Sequence, residues 1–324
     1  MKRYIAKRLA WTVVATWITV TITFLLIDFS PISAGGATFV DQQVQSGMSV
    51  NEAKELYQHQ LGYGDTVWER YANFMIGLVT LDWGWSTLYN QPVIDVITSS
   101  WIYSFQYVFP ATVLSVVLGF GIGLYSATHQ HTREDYAATL VAFTGISLPN
   151  FWFAIMLILL FSVQFDVLPS FYTTKHALLS LGNVKQLLLP IVVLGTSAIA
   201  TEMRYARAES LEYVQAEFVK TARAKGLSEG EVTLRHIFRP AMVPLITILV
   251  GDVLGLLFAG GYVLEVIFQI PGLGLVSYQA IIQQDTPLVL ATVLIPVLIA
   301  ILGNLIQDVC YTVLDPRIDF GDRE

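Results

Sequence analysis

Long apolar segments that recur along the chain are the feature that most constrains its fold. Six of them lie at residues 9–29, 101–127, 137–163, 186–203, 241–266 and 288–314. About 20 predominantly apolar residues are enough for a helix to cross the hydrocarbon core of a bilayer. Only 13% of the 324 residues are charged, whereas soluble domains carry about 25%. The sequence therefore predicts an all-α polytopic membrane protein with six transmembrane helices.

The first apolar segment follows four basic residues, Lys2, Arg3, Lys7 and Arg8, and precedes small residues at 33–37. This order is also found in cleavable signal peptides, but their apolar region is only about 7–15 residues long. Because the segment here is longer and further segments follow it, we expect an uncleaved first transmembrane helix.

The Lys and Arg residues are shared unevenly between the two sides that six spans would create. Fourteen lie on the side of the two termini, and four lie on the other side. Because Lys and Arg accumulate in cytoplasmic loops, we predict that both termini and residues 204–240 are cytoplasmic. The net charge of −7 argues against a nucleic-acid partner.

This topology predicts three parts. Residues 1–30 hold the N-terminus and the first span, residues 31–100 form a helical extracytoplasmic insertion, and residues 101–324 form the core transmembrane domain. Within the insertion, Ser49 and Glu52 have the spacing of a capping box at a helix start. Residues 68–81 have apolar side chains at helical spacing, which is typical of a helix that lies on the membrane surface.

The cytoplasmic loop at residues 204–240 contains signals for two short helices. Residues 212–225 lack internal Gly and Pro, and an apolar stripe is predicted at Leu211, Val214, Phe218 and Ala222. Gly226 is the expected left-handed residue after a helix end, and Ser228 with Glu231 forms a second capping-box pattern. Pro240 disfavours helix at the preceding residue, so the second helix is expected to end near Phe238. The loop is either an ordinary helical connection or a docking element for a cytoplasmic partner.

Several motifs in this loop and elsewhere resemble the dipeptide/oligopeptide permease family of binding-protein-dependent ABC importers, whose permeases carry an EAA-type coupling loop. The resemblance covers nearly the whole chain and rests on Lys7-Arg8-Leu9, Asp82-Trp83-Gly84-Trp85-Ser86, Ser147-Leu148-Pro149-Asn150-Phe151-Trp152, Val219-Lys220-Thr221-Ala222-Arg223-Ala224-Lys225-Gly226, Pro271-Gly272-Leu273-Gly274 and Leu314-Asp315-Pro316-Arg317. The chain departs from the family pattern at Ser30-Pro31-Ile32-Ser33 and at Pro240.

The resemblance implies a type I importer permease that couples ATP hydrolysis to alternating access. Its expected partners are two cytoplasmic ABC ATPase subunits, a second homologous permease subunit in a heterodimer, and an extracytoplasmic solute-binding protein, all at the cell membrane. Peptides are the expected cargo, with nickel or an oligosaccharide as the alternative. The implied ATPase-coupling interface contains Tyr213, Val219, Lys220, Thr221, Ala222, Arg223, Ala224, Lys225, Gly226, Leu227, Ser228, Arg235 and His236.

No phosphate-binding loop motif occurs in the sequence, so ATP and Mg²⁺ are expected on the partner ATPases and this chain is expected to bind no cofactor. His129 and His131 are interpreted as solvated loop residues rather than metal ligands. Neither a catalytic site nor a metal site is predicted. An intramembrane enzyme would need paired catalytic residues, and a stand-alone secondary transporter or channel would need ion-coupling charges in several spans.

Four residues are candidates for the translocation path: Asp252, Ser147, Pro149 and Asn150. Asp252 is the one acid well inside a predicted span, where a charge is costly unless it faces the bundle interior or water. An interhelical hydrogen bond to Asn304 or Gln307 is the alternative role. The other three residues could break the third span, although a simple proline kink explains them equally well. Asp28, Glu265 and Asp308 lie near segment ends and are expected at the membrane interface.

Overall fold

The computed structural model describes residues 2–29, 40, 43–60, 66–242, 244–246, 249–250 and 261–314. These residues are mostly helical. The helices are α1 (Lys2–Asp28), α2 (Val50–Gln60), α3 (Val67–Thr80), α4 (Val93–Thr128), α5 (Arg133–Ser147), α6 (Asn150–Leu157), α7 (Leu181–Val214), α8 (Glu217–Ala224), α9 (Glu229–Glu231), α10 (Tyr262–Phe268), α11 (Leu273–Gln283) and α12 (Thr286–Leu314). Strands β1 (Trp85–Ser86) and β2 (Gln91–Pro92) pair in an antiparallel hairpin. Two π-helical segments, Ile158–Gln164 and Val232–Phe238, extend α6 and α9.

Four of these helices are long and apolar enough to cross a membrane, at Ile5–Leu26, Val93–Thr128, Leu181–Val214 and Thr286–Asp308. Two bent pairs, α5 with α6 and α10 with α11, raise the number to six if each pair is one span. The prediction of a helical, multi-pass membrane protein is therefore confirmed, and six is the upper end of the range. Half of the predicted fifth segment, including Asp252, lies outside the described residues.

Helices α4 and α7 pack along each other at the centre of the molecule. A Cβ atom on Gly119 would lie 2.6 Å from Cβ of Glu202, and one on Gly123 would lie 2.5 Å from the carbonyl oxygen of Met203. Both positions therefore require glycine for the backbones to approach so closely. Helix α7 continues to Val214, well beyond the predicted end of the fourth span at residue 203. Glu202, near the end of the predicted span, therefore lies well inside α7 and is 4% exposed.

The third predicted span is broken. Helices α5 and α6 meet at an angle of 98°, with Leu148 in an extended conformation before Pro149. The residue before a proline avoids the helical region, so the break lies where the sequence permits it. A second break, of 84°, separates α10 from α11. Helix α11 (Leu273–Gln283) lies between the fifth and sixth predicted spans, where no helix was predicted.

The described parts of the insertion at residues 31–100 contain α2, α3, the β-hairpin and the first turns of α4, and α3 is joined to α1 by an ion pair. The Ser49–Glu52 capping box is present, with the Ser49 hydroxyl donating to the Glu52 carboxylate over 2.7 Å. This hydrogen bond and one from the Ser49 backbone N–H lower the pKa of Glu52. Arg70 on α3 binds Asp28 on α1 through Nε–Oδ1 and Nη2–Oδ2 distances of 2.8 and 2.7 Å. The side chain of Asp28 is thus paired and 7% exposed, and its expected place at the membrane interface stays a prediction.

Candidate functional site

The loop at residues 204–240, which we call the coupling loop, begins as the end of α7 and not as a separate helix. A break at Gln215 and Ala216 follows, and α8 then spans Glu217–Ala224. The prediction of one helix over residues 212–225 is therefore wrong. The break also shifts the helical phase, which removes Phe218 from the predicted apolar stripe and leaves it 49% exposed.

The buried face of the coupling loop is made by Val219 and Ala222, which are 0% and 4% exposed. They pack on Leu124 of α4 and on Val232 and Ile237 of the second helix. Two residues of the predicted ATPase interface therefore belong to the loop's own core. The outward face contains the predicted interface residues that remain exposed: Lys220, Thr221, Arg223, Ala224, Lys225, Gly226, Ser228 and Arg235.

The turn between the two helices has the geometry that the sequence predicts. Gly226 has a φ of 79°, which only glycine adopts without strain. The N–H of Gly226 donates to the Arg223 carbonyl and the N–H of Leu227 to the Ala222 carbonyl, which is the Schellman pattern. The Ser228–Glu231 capping box starts α9. The angle between the helices is thus fixed by local hydrogen bonds.

Polar and π-helical features complete the second half of the loop. Arg223 of α8 pairs with Glu229 of α9 over 3.0 Å from Nε to Oε1. The helix does not end at Phe238 as predicted, because residues 239–242 remain helical. A π-helical turn, closed by the Arg239 N–H on the Leu234 carbonyl, precedes Pro240. The wider turn relieves the clash that a proline ring makes with a regular helix.

The base of the coupling loop is anchored by a buried ion pair. Arg207 on α7 binds Asp135 on α5 through Nε–Oδ1 and Nη2–Oδ2 distances of 2.9 and 3.0 Å. The Ser126 hydroxyl of α4 and the His131 N–H also donate to Asp135. The side chain of Asp135 is 3% exposed. Three helices are therefore joined where α7 leaves the bundle toward the loop.

The predicted path residues lie at the break between α5 and α6. Ser147 and Pro149 are exposed, and Asn150 is half-buried at the start of α6. These three residues lie together because they are neighbours in the sequence. Asp252, the fourth predicted path residue, lies outside the described residues.

A buried polar cluster that was not predicted lies at Glu265, and we call it the Glu265 cluster (Glu265, Ser104, Tyr107 and the backbone of Gly274 and Leu275). Glu265 is 0% exposed, and its expected place at the membrane interface stays a prediction. Its carboxyl group accepts from the Ser104 and Tyr107 hydroxyls over 2.7 and 3.0 Å. It also accepts from the N–H groups of Gly274 and Leu275. The carboxyl group thereby caps α11 and ties it to α10 and α4.

Glycine permits this arrangement. A Cβ atom on Gly272 would lie 2.6 Å from Cδ of Glu265, and one on Gly274 would lie 2.6 Å from Cα of Tyr262. Two features of the sequence could have indicated this cluster. One is the spacing of Glu265 from Pro271-Gly272-Leu273-Gly274, and the other is the pair Ser104 and Tyr107, one helical turn apart.

These features define a class of protein: a multi-pass helical membrane protein with a compact helical loop on one side. Comparison with known proteins supplies the family. Residues 119–320 match the family described as binding-protein-dependent transport system inner membrane component, and the chain belongs to that family. It is therefore a membrane permease subunit of a binding-protein-dependent transport system.

Individual relatives match over nearly the whole chain. The oligopeptide transport system permease protein AppB of Bacillus subtilis (strain 168) is 31% identical over 82% of this chain and 85% of its own length. The dipeptide transport system permease protein DppB of the same organism is 31% identical over 98% of both chains. DppB of Lactococcus lactis subsp. cremoris (strain MG1363) is 28% identical over 98% and 99%.

One solved structure is similar to this chain in fold. It is described as an inward-facing conformation of the MetNI methionine ABC transporter, and it matches with a TM-score of 0.50 and 16% sequence identity. The match covers 67% of this chain and 97% of that chain. The core fold is therefore shared with an ABC transporter, at a distance at which ligands cannot be transferred.

Proposed function

We propose that this chain is a permease subunit of an ATP-driven importer of dipeptides or oligopeptides in the cell membrane. The cargo is inferred from the names of the relatives, several of which are dipeptide or oligopeptide permeases. Nickel and oligosaccharides remain the alternative cargoes. Six spans with cytoplasmic termini fit the two bent helix pairs and the basic bias of one side.

The observation that carries the coupling role is the two-faced geometry of the coupling loop. Its apolar residues Val219 and Ala222 pack in a buried cluster with Leu124, Val232 and Ile237. Its basic and small residues lie on the exposed face. A rigid, locally capped projection of this kind fits a groove on a separate ATPase subunit. ATP-driven closure of two ATPases would then move α8 and, through α7, the spans.

The anchor at Asp135 and Arg207 supports this mechanism. A force on the coupling loop is transmitted only if its base is stiff, and the pair joins α5 to α7 with two hydrogen bonds. The close glycine contacts between α4 and α7 add a second rigid connection. We propose that the solute-binding protein delivers cargo from the opposite side, where the insertion lies, and that a second permease subunit completes the path.

The test is to express the full-length chain together with its neighbouring genes and to purify it in mild detergent. ATPase subunits and a second permease are expected to co-purify. Binding-protein-stimulated ATP hydrolysis is then measured with dipeptides, longer peptides, nickel and oligosaccharides. Stimulation by peptides supports the cargo, and stimulation by nickel or an oligosaccharide alone would exclude it. Purification of the chain without any ATPase would overturn the coupling role.

A pair of matched substitutions separates the coupling surface from the core of the loop. Ala224→Trp places a bulky side chain on the exposed face, so it is expected to abolish ATPase association while the spans remain folded. Ala222→Trp overfills the buried position beside Val219 and is expected to unfold the loop. If Ala224→Trp leaves ATPase association and uptake unchanged, the exposed face is not the docking surface.

A further inference from the structure

A cavity of about 420 Å³ lies between α3, the β-hairpin region and the start of α12. We call it the α3–α12 cavity. Its volume is within the range of about 300–1,000 Å³ that holds small organic ligands. The lining is divided: Arg70, Asn73, Asp82 and Trp83 contribute polar groups, and Leu290 and Leu294 belong to the apolar wall. None of its lining residues belongs to the coupling loop, and the function proposed above assigns no role to this cavity.

Trp83 supplies the cavity region with a hydrogen-bond donor. Its Nε1 atom is buried and, within the part of the chain that the structure describes, meets no hydrogen-bond acceptor. A buried indole N–H usually finds a partner. The ring itself packs against the apolar cluster that contains Leu288 and Ala291 at the start of α12, so it is held in place. An acceptor oxygen from a ligand would satisfy this N–H.

The charges around the cavity do not favour an anion. Arg70 is engaged by Asp28 through two hydrogen bonds of 2.8 and 2.7 Å, so its positive charge is neutralised. Asp82 lines the same cavity and adds a negative charge on the exposed side. A ligand with both an acceptor oxygen and a cationic group fits this arrangement better than an anionic ligand.

The walls place the cavity at the edge of a membrane. Helix α12 is one of the four helices long and apolar enough to span a bilayer. Helix α3 exposes Trp68, Ile76 and Val79, which are 80%, 61% and 80% exposed. An amphipathic helix with such an apolar face lies in the interface between headgroups and acyl chains. A ligand between α3 and α12 therefore has lipid beside it.

We propose that the α3–α12 cavity binds one zwitterionic glycerophospholipid. An oxygen of its headgroup region accepts a hydrogen bond from Trp83 Nε1, its ammonium group faces Asp82, and an acyl chain lies along Leu290 and Leu294. The lipid would fill the space between the insertion and the span and hold the insertion against the membrane.

Native mass spectrometry of the full-length chain with its co-purifying subunits tests this proposal. The protein is supplied with palmitoyl-oleoyl phosphatidylethanolamine or palmitoyl-oleoyl phosphatidylglycerol, and retained lipid is counted after increasing activation. One phosphatidylethanolamine per chain is expected to resist removal. Trp83→Phe keeps the ring but removes the N–H, so retention should fall about two- to tenfold. Trp68→Phe, on the exposed face of α3 and outside the cavity lining, should leave retention unchanged.

Two further variants test the space and the charge. Leu290→Trp fills the cavity and should prevent retention, whereas Val293→Trp, on the same helix but outside the lining, should not. Asp82→Asn should remove the preference for phosphatidylethanolamine over phosphatidylglycerol. Equal retention in Trp83→Phe, Leu290→Trp and the unsubstituted protein would overturn the proposal. So would a preference for phosphatidylglycerol, or protection of the cavity by a protein subunit instead of lipid.

Discussion

The coupling loop and the Glu265 cluster stabilise their turns in opposite ways. In the coupling loop, the turn at Gly226 is closed by hydrogen bonds between residues only a few positions apart. In the Glu265 cluster, the Glu265 carboxyl group that caps α11 also accepts from Ser104 and Tyr107, which lie 161 and 158 positions away from it. The first turn is exposed to solvent, whereas the Glu265 side chain that caps α11 after the second turn is 0% exposed.

This difference determines what each region can do. Exposed hydrogen bonds compete with water, so each contributes about 0.5–1.5 kcal/mol, and the coupling loop remains available to a partner. Buried polar groups must be paired, because an unsatisfied one costs about 1–3 kcal/mol. The Glu265 cluster therefore joins α4, α10 and α11 inside the protein, whereas the coupling loop presents an exposed face that a partner can bind.

The largest expected effect is that of Glu265→Ala. The substitution leaves two hydroxyls and two backbone N–H groups without their acceptor, so we expect a loss of about 3 kcal/mol or more. Glu231→Ala in the coupling loop is the matched control and should cost about 1 kcal/mol. The stability of both variants is measured by heating the protein in detergent and recording the fraction that stays monodisperse. Similar midpoints for the two variants would remove the distinction between the regions.

The anchor at the base of the coupling loop should give the next largest effect. Asp135→Ala leaves Arg207 without its partner; a fully buried pair would cost about 3–5 kcal/mol, and the 29% exposure of Arg207 reduces this to about 2 kcal/mol. A double-substitution cycle with Arg207→Ala should recover at least about 1 kcal/mol of coupling energy. Additive effects would show that the two side chains act independently.

Gly226→Ala should have a smaller and local effect. A non-glycine residue at φ 79° costs about 1–2 kcal/mol, and a Cβ atom there would meet nothing within 4 Å. The spans should therefore unfold at an unchanged temperature, while binding-protein-stimulated ATP hydrolysis falls. Gly230→Ala, which also has open space around it, is the control. Equal activity in the two variants would contradict the role assigned to the left-handed turn.

The smallest expected effect is that of Arg223→Ala. Its pair with Glu229 is exposed, with side-chain exposures of 39% and 72%, and such pairs contribute about 0–1 kcal/mol. The unfolding temperature should hardly change. If Arg223 also contacts an ATPase, association should weaken, and Glu229→Ala should not reproduce that loss. Identical association for both variants would assign Arg223 to the loop alone.

Much of the membrane architecture could be predicted because apolar length is a local property. The segments at 9–29, 101–127 and 288–314 correspond to α1, α4 and α12. Both capping boxes and the left-handed Gly226 were also predicted, since each depends on residues within one turn. The ends of helices were less well predicted: α7 extends to Val214 and the second coupling helix passes Pro240, because packing and a π-turn override local signals.

The candidate site was predicted as a stretch but not as a surface. The sequence placed Val219 and Ala222 with Lys220 and Arg223 in one interface, whereas the structure buries the first two against Leu124, Val232 and Ile237. The phase change at Gln215 and Ala216 explains why Phe218 leaves the predicted apolar stripe, because helical periodicity cannot be extended across a break. The ATPase-coupling role of the exposed residues stays a prediction.

The sequence by itself determined that this chain crosses a membrane and carries a capped helical loop, because hydrophobic length and capping act over short distances. Only the tertiary structure decided that Glu265 is buried, that Asp135 pairs with Arg207 and that Asp28 pairs with Arg70. Each of these acids is paired with a group far away in sequence. Burial of a charged group is favourable only when such partners meet, and the fold brings them together.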